Sequence, residues 1–390
     1  MTAELHPPIA GADYSKISRP EFGDRHSAIE PTNLGAVPSY SSAYKPRRGL
    51  SIPALTVLDT RGCVIEDQQR KLFRFIAQNG KGADIIFGCG TTGEARFIAN
   101  NQRQRLIEIE ADEVSRINIE LAGSGMVPIE AWAGVTAETR RDTLANLEFA
   151  MTTGIHAAVI APLSIQDIGN TVEFFQREVS DLFDKAGRWL PIFLYDNADI
   201  VIDPRIPHIK TRDVKRLSRL PFVYGIKVSA SRRVLGNYTK GAGHFKDAGD
   251  FGIYVGNAML MFRVFRLEDG LFGRVREYWN RYLLHNELPI GVVAGPANVW
   301  PLQWQRAWRA CYSGDEQMMA AYKKSFERFE AACCFPGPGR SVDKMIACLK
   351  YALRIDGVIE SDSMAAGSAG LSDAEREIFL NEYRELSAEW

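Results

Sequence analysis

The chain has no apolar run near the ~20 residues that a membrane-spanning helix needs, so no membrane span is expected. Its opening, MTAELHPPIAGADYSK, lacks the basic-then-apolar order of a secretory leader. Cysteine is scarce: Cys63, Cys89, Cys311, Cys333, Cys334 and Cys348 are the six in 390 residues, and no two form a CxxC pair. A chain this long builds a core without disulfides, so a reduced, cytoplasmic protein is expected. The adjacent Cys333 and Cys334 read as two small buried residues on one helix. His156, His208, His244 and His285 show no ligand-like spacing and give no metal site. Excess charge is missing as well. A formal net charge of −1 offers no general attraction for nucleic acid or an anionic membrane. The short basic cluster Lys45, Arg47 and Arg48 reads as a solvated linker.

What is present is an ordinary globular composition, 46% hydrophobic and 24% charged, enough for two domains or one large α/β barrel with additions. Residues 1–48 carry Pro7, Pro8, Pro20, Pro31, Pro38 and Pro46 without sustained periodicity. They read as an N-terminal arm, of the kind that orders against a partner subunit. Then a rhythm begins. Strand-like runs at 51–58, 83–89, 128–135, 157–163, 191–197, 222–229, 251–257 and 290–296 are each followed by a helical pattern. Continuous apolar strands alternating with helices imply a parallel sheet covered by helices. Eight such units predict an α/β fold, a (β/α)8 TIM barrel over 49–314, with a C-terminal helical bundle over 315–390. Trp300, Trp304 and Trp308 recur every fourth residue on the last barrel helix and read as a packing stripe. Residues 261–288 are a longer connection than the seventh and eighth strands require.

The sixth strand contains an anomaly. FVYGIKVSAS, residues 222–231, sets Lys227 among buried-type residues. A lysine at a strand end ordinarily snorkels to water. In a barrel, however, chemistry sits at the C-terminal ends of the strands, and Lys227 lies near one. Tyr195 lies near the end of the fifth strand, and GCGTTGE, 88–94, leaves the second. The three converge on one mouth.

Gly88 to Gly93 also spell G-x-G-x-x-G, the dinucleotide fingerprint, which makes a nucleotide-dependent oxidoreductase one competing reading. That fingerprint needs a following strand ending in an acidic residue about 20 positions on. Glu108, Glu110 and Asp112 stand at that distance inside a helical pattern instead. The other use of such a loop is anion binding: amides freed by a glycine turn, with two threonine hydroxyls, grip a carboxylate. A neutral lysine amine beside it can attack a ketone and form a Schiff base, and apolar surroundings favour the neutral amine.

On these residues the sequence resembles the dihydrodipicolinate synthase / N-acetylneuraminate lyase superfamily of class I aldolases. GTTGE (90–94) is similar to that family's carboxylate-binding loop, FLYDN to its tyrosine strand and GIKVS to its Schiff-base lysine strand. YVGNAM and GVVAGPANV are weaker echoes at the seventh and eighth strands. The resemblance implies that Lys227 forms an imine with C2 of pyruvate or another 2-oxo acid, and that Tyr195 shuttles protons. Thr91 and Thr92 would hold the carboxylate, Thr91 also relaying a proton. Gly90, Gly93 and Val293 would complete substrate binding. It further implies an aldehyde co-substrate, a homo-oligomer (dimer or tetramer), and no metal or organic cofactor.

Departures from the family pattern narrow the substrate. The second tyrosine of the family synthases is replaced by Leu163-Ser164, and the arginine after the tyrosine strand is absent from DNADIV. Gly256-Asn257 stand where sialic-acid lyases carry acidic residues, and Val228 stands in place of a glutamate. Some other aldolase, or an enzyme dehydrating a sugar-acid-like substrate, is therefore expected. The alternatives are dihydrodipicolinate synthase proper and a non-catalytic protein that binds a 2-oxo acid on the same scaffold.

Overall fold

The computed structural model describes residues 44–245, 250–265, 288–337 and 341–390. Eight parallel strands close into a barrel in sequence order: β1 (Gly49–Pro53), β2 (Ile85–Gly88), β3 (Glu130–Gly134), β4 (Ala157–Ile160), β5 (Ile192–Asn197), β6 (Val223–Ser229), β7 (Gly252–Val255) and β8 (Gly291–Val293). β8 returns to β1, with Ser51 opposite Val293. Each strand falls within or overlaps the apolar run that predicted it.

Residues two apart on a strand point the same way, and the inward set fills the barrel. Phe87, Trp132, Val159, Phe193, Tyr195, Tyr254 and Val293 belong to one buried cluster. Trp132 stacks on Phe193 with ring centroids 4.0 Å apart. Gly225 makes room for that stack, because a Cβ there would lie 2.6 Å from the Phe193 ring. The outward set, including Leu50, Ile52 and Ile226, joins the larger core beneath the helices.

Local chemistry sets the helices. Glu66–Ala77 buries Leu72, Phe73 and Ile76 and stops where Gln78 and Asn79 turn left-handed, with φ of 48° and 51°. The helical pattern after β5 yields only the short helix Thr211–Leu217. Pro204 and Pro207 lack the amide donors a helix needs and keep the preceding chain extended. Beyond the barrel, Glu316–Ala332, Met345–Ile355 and Asp373–Ser387 are helical. Trp300, the cap of the helix Pro301–Ser313, and Trp304 within it pack against two of them, while Trp308 packs elsewhere. Trp304 stacks on Phe326 at 4.0 Å, Trp300 on Tyr383 at 5.8 Å, and Trp308 meets Phe265 edge-on.

Two expectations need correction. Cys333 is buried, but Cys334 is exposed and begins a short strand, because the helix ends at Ala332. The cluster Lys45, Arg47 and Arg48 is more than a solvated linker, since residues 44–48 pack under the N-terminal end of the barrel. Tyr44 donates to Glu130 Oε2 at 2.9 Å, Tyr254 donates to the Arg47 carbonyl, and Arg48 donates to the Tyr312 hydroxyl at 2.5 Å. The arm before residue 44, residues 266–287 of the long connection, and His285 lie outside the described residues. Among the described residues no helix is long and apolar enough to cross a membrane.

Candidate active site

Lys227 does not snorkel. It lies on β6 directly across from Tyr195 on β5 and Tyr254 on β7, and it is 4% exposed. Its Nζ sits 4.0 Å from the centroid of the Tyr195 ring and 4.9 Å from that of Phe87. Among the described residues no carboxylate pairs with it. A buried lysine set against ring faces is available as a nucleophile in a way an ion-paired one is not.

The Tyr195 hydroxyl is the junction of the site. It lies 2.9 Å from Thr91 Oγ1, accepts from Asn197 Nδ2 at 3.0 Å, and accepts from Ser229 Oγ at 3.3 Å. Burial is the largest influence on this phenol and opposes its ionisation. The Lys227 charge and the hydrogen bonds with Ser229, Thr91 and Asn197 together outweigh it, holding the phenol below its ordinary 10.0. A phenol so placed can give and take a proton near Lys227.

The loop after β2 brings Thr91 to that junction. Cys89 is left-handed at its start (φ 55°) and Glu94 at its end (φ 55°). Gly134 lets the loop come close: a Cβ there would lie 2.2 Å from the Cys89 carbonyl oxygen. Within the loop the amides of Gly93, Glu94 and Ala95 donate to carbonyls of Gly90 and Thr91. The amides of Thr91 and Thr92 donate to nothing among the described residues, which leaves them for an anion. Thr56 Oγ1 holds the Gly93 carbonyl at 2.6 Å. Arg103, 4% exposed, donates to the carbonyls of Ala95 and, at 2.6 Å, Thr136, tying the loop to the chain leaving β3. Burial pushes the Cys89 thiol up, so it is a packing residue rather than a nucleophile.

A cavity of about 350 Å³ opens beside this cluster, walled by Phe87, Thr91 and Tyr195. Its exposed lining mixes Phe97 and Ile202 with Arg96, Glu138 and Gln166, and Ile200 packs against the inner barrel cluster. Phe97 and Ile202 are close to half exposed, unusual for side chains of that kind. Of the pair replacing a second tyrosine, Ser164 lines this cavity, its buried hydroxyl without a hydrogen-bond partner among the described residues, while Leu163 lines a different cleft. The rim is not free of charge, since Arg96 and Glu138 stand there.

The sequence-predicted residues separate into those gathered here and those behind them. Lys227, Tyr195, Thr91 and Gly90 come together. Thr92 turns toward β8, its Oγ1 3.2 Å from where a Cβ of Gly295 would lie. Gly93 is a packing position, where a Cβ would meet the Ala54 carbonyl at 2.8 Å, and Val293 is part of the inner barrel cluster. Asn197 and Ser229 were missed, although each stands two residues beyond Tyr195 or Lys227 on the same strand face. The acidic residues at nucleotide-fingerprint distance lie inside the helix Asn100–Gly123. Glu110 there is buried against the Gly88 amide at 3.0 Å, with no following strand to present it to a ribose. Among the described residues no three His, Cys, Asp or Glu side chains gather as a metal-holding group.

No protein-family model matches this sequence. A 4-hydroxy-tetrahydrodipicolinate synthase of Geotalea uraniireducens is 36% identical over 75 residues, 19% of this chain. The match spans about 25% of that relative's own length. Solved structures agree over nearly the whole chain. The dihydrodipicolinate synthase of Bacteroides thetaiotaomicron superposes with a TM-score of 0.68, at 19% identity, over 88% of this chain and 99% of that one. A sialic acid aldolase of Ruminococcus gnavus gives 0.66 at 13% identity, over 88% and 97%. A prophage protein of the dihydrodipicolinic acid synthase family from E. coli K12, solved with pyruvate, gives 0.65 at 17% identity, over 87% and 98%. The family resemblance carried by the three motifs is thus matched by the fold.

Proposed function

We propose that this chain, which has the fold of the dihydrodipicolinate synthase / N-acetylneuraminate lyase superfamily, is a carbon–carbon lyase working through a Schiff base on Lys227. One observation carries the reading: a buried lysine, without a carboxylate partner among the described residues, lies against a tyrosine whose hydroxyl meets a threonine of the loop after β2.

In this mechanism the 2-oxo acid binds with its carboxylate on the Thr91 and Thr92 amides. The Lys227 amine adds to the C2 carbonyl, and Tyr195 passes a proton to the oxygen that leaves as water. In the cleavage direction the bound acid carries a hydroxyl at C4, and Tyr195, having given up its proton, takes the proton of that hydroxyl as the protonated imine draws electrons from the C3–C4 bond. Cleavage releases an aldehyde and leaves an enamine, which takes a proton at C3, and water then hydrolyses the imine to the shorter 2-oxo acid. The reverse order forms the bond. Pyruvate is the first 2-oxo acid to test, because a structural neighbour was solved with it. Phe97, Ile200 and Ile202 in the cavity wall suit an aldehyde with an apolar body, and Gln166 beside them suits a hydroxyl on it. We include a homo-oligomeric state and a cytoplasmic setting in the proposal.

A second reading, the synthase acting on aspartate semialdehyde, draws on the short curated match and on Arg96 at the rim, which could take a distal carboxylate. Borohydride reduction with a panel of 2-oxo acids, followed by peptide mapping, tests the Schiff base. Covalent attachment at Lys227 is expected. Attachment at another lysine, or none with any 2-oxo acid, overturns the reading. Comparing kcat/KM for aspartate semialdehyde with that for apolar and hydroxylated aldehydes separates the two substrate readings.

A further inference from the structure

The carboxylate loop is gripped from outside the barrel. Glu94, its last residue, is buried in a left-handed conformation that a glutamate adopts only when its surroundings hold it there. Its carboxylate forms an ion pair with Lys350 of the helix Met345–Ile355, each side chain 1% exposed. It also accepts from the Ala365 amide at 2.8 Å. Lys350 donates in turn to the Ser363 carbonyl at 2.7 Å. The same C-terminal segment reaches the chain beside the loop. Ser361 Oγ donates to the Leu58 carbonyl at 2.6 Å, and Leu58, Ile98 and Ala365 form a small apolar cluster.

A buried ion pair is a weak source of stability compared with apolar residues of the same size, so stability alone does not explain it. Two of its effects bear on the site. It fixes the end of the loop whose beginning sets Thr91 against Tyr195. It also cancels a negative charge two and three residues from the amides offered to a substrate carboxylate, which an unpaired Glu94 would repel.

We propose that Lys350 is a positioning residue for the 2-oxo acid: acting through Glu94, it holds and neutralises the loop that receives the substrate carboxylate. The C-terminal segment is then part of the substrate-binding apparatus although it touches no substrate. This rests on the Schiff-base reading above.

The test is borohydride trapping on the full chain across a range of pyruvate concentrations, with thermal unfolding measured alongside. For Lys350→Gln, which keeps a donor for Ser363, the pyruvate concentration giving half-maximal labelling of Lys227 rises at least tenfold, while labelling at saturation persists. Lys350→Arg, which keeps the charge, stays within threefold of the parent. Glu94→Gln added to Lys350→Gln removes the repulsion and recovers most of the loss. Phe379→Ala, which opens a cavity among the C-terminal helices, lowers the Tm without moving half-saturation. If Lys350→Gln moves half-saturation less than twofold, or no more than Phe379→Ala does, the proposal is overturned. Should Lys350→Gln not fold, Ser361→Ala decides: a rise of about threefold supports the grip, and an unchanged value overturns it. A parent chain that labels with no 2-oxo acid overturns the Schiff-base reading and this proposal with it. A parent that labels beside unchanged variants overturns this proposal alone.

Discussion

Tyr195 and Lys227 are register partners on adjacent strands, and the ammonium lies over the face of the phenol ring rather than at its hydroxyl. The ring and the hydroxyl therefore do separable jobs. The face supports the lysine, while the oxygen, turned toward Thr91, carries the proton. Tyr195→Phe keeps the first and removes the second. Turnover is expected to fall about 10²–10⁴-fold, the range for a positioned acid–base group, with the fold unchanged and borohydride labelling of Lys227 retained at a lower rate. Steady-state kinetics beside circular dichroism checks this, and a variant as active as the parent places the proton route elsewhere.

The same pairing predicts a titration. The Tyr195 phenol ionises below its ordinary 10.0, whereas Tyr238, Tyr254 and Tyr383 are pushed upward by burial. Lys227→Met removes the positive charge that favours the phenolate, so the Tyr195 value must rise. Tyrosinate absorbance, taken as the difference between each protein and its Tyr195→Phe counterpart, reads both values. No shift on losing Lys227 contradicts the electrostatic coupling.

Asn197 donates to the Tyr195 hydroxyl at 3.0 Å. Asn197→Ala deletes one of the bonds that favour the phenolate, and a single such bond contributes about 0.5–1.5 kcal/mol. We expect kcat to fall about three- to tenfold and the basic limb of the pH–rate profile to move upward. A lower kcat with an unmoved profile would assign Asn197 to the loop alone, where its Oδ1 accepts from the Asp199 amide.

Aldehyde selection should be separable from 2-oxo acid binding. Ile202→Asp places a charge in the cavity wall and is expected to raise KM for an apolar aldehyde at least tenfold, leaving pyruvate labelling of Lys227 unchanged. Equal loss of both would show that Ile202 supports the whole site.

His156 supplies a stability prediction. Its Nδ1 accepts from the Ala131 amide at 3.1 Å, and burial, aided by the Arg47 charge, pushes the imidazole down to about 4 from 6.5. The folded state therefore resists a proton that the unfolded chain binds. Stability is full above pH about 6.5, declines as pH falls through that value, and stops declining below about 4. The ring is only half-buried, so the loss is about 1–3 kcal/mol. His156→Asn, which keeps an acceptor, should flatten that part of the curve of unfolding free energy against pH. An unchanged slope would assign the acid sensitivity to other groups.

The strands, their order, and the meeting of Lys227, Tyr195 and Thr91 were legible because each rests on a local pattern: apolar runs of strand length, and polar residues at their C-terminal ends. Asn197 and Ser229 were legible in principle from the two-residue period of a strand. Lys350 was not, since 256 residues separate it from Glu94 and nothing in the surrounding MIACLKYALRI marks one lysine as buried. The exposure of Cys334 depended on where one helix stops, and the brevity of Thr211–Leu217 on two prolines whose effect outweighed the periodicity around them.

The floor of the barrel is built by chain that precedes the barrel. Tyr44 and Trp132 both donate to Glu130, whose carboxyl is pushed upward by burial, and the Arg47 carbonyl takes the Tyr254 hydroxyl. A deletion ending just before Gly49 would keep all eight strands, yet it would strip one donor from a buried acid and an acceptor from a buried phenol. Trimming that removes Tyr44 to Arg48 would thus leave every strand in place and still act as a lesion in the core, and a proteolytic cut between Tyr44 and Gly49 would do the same.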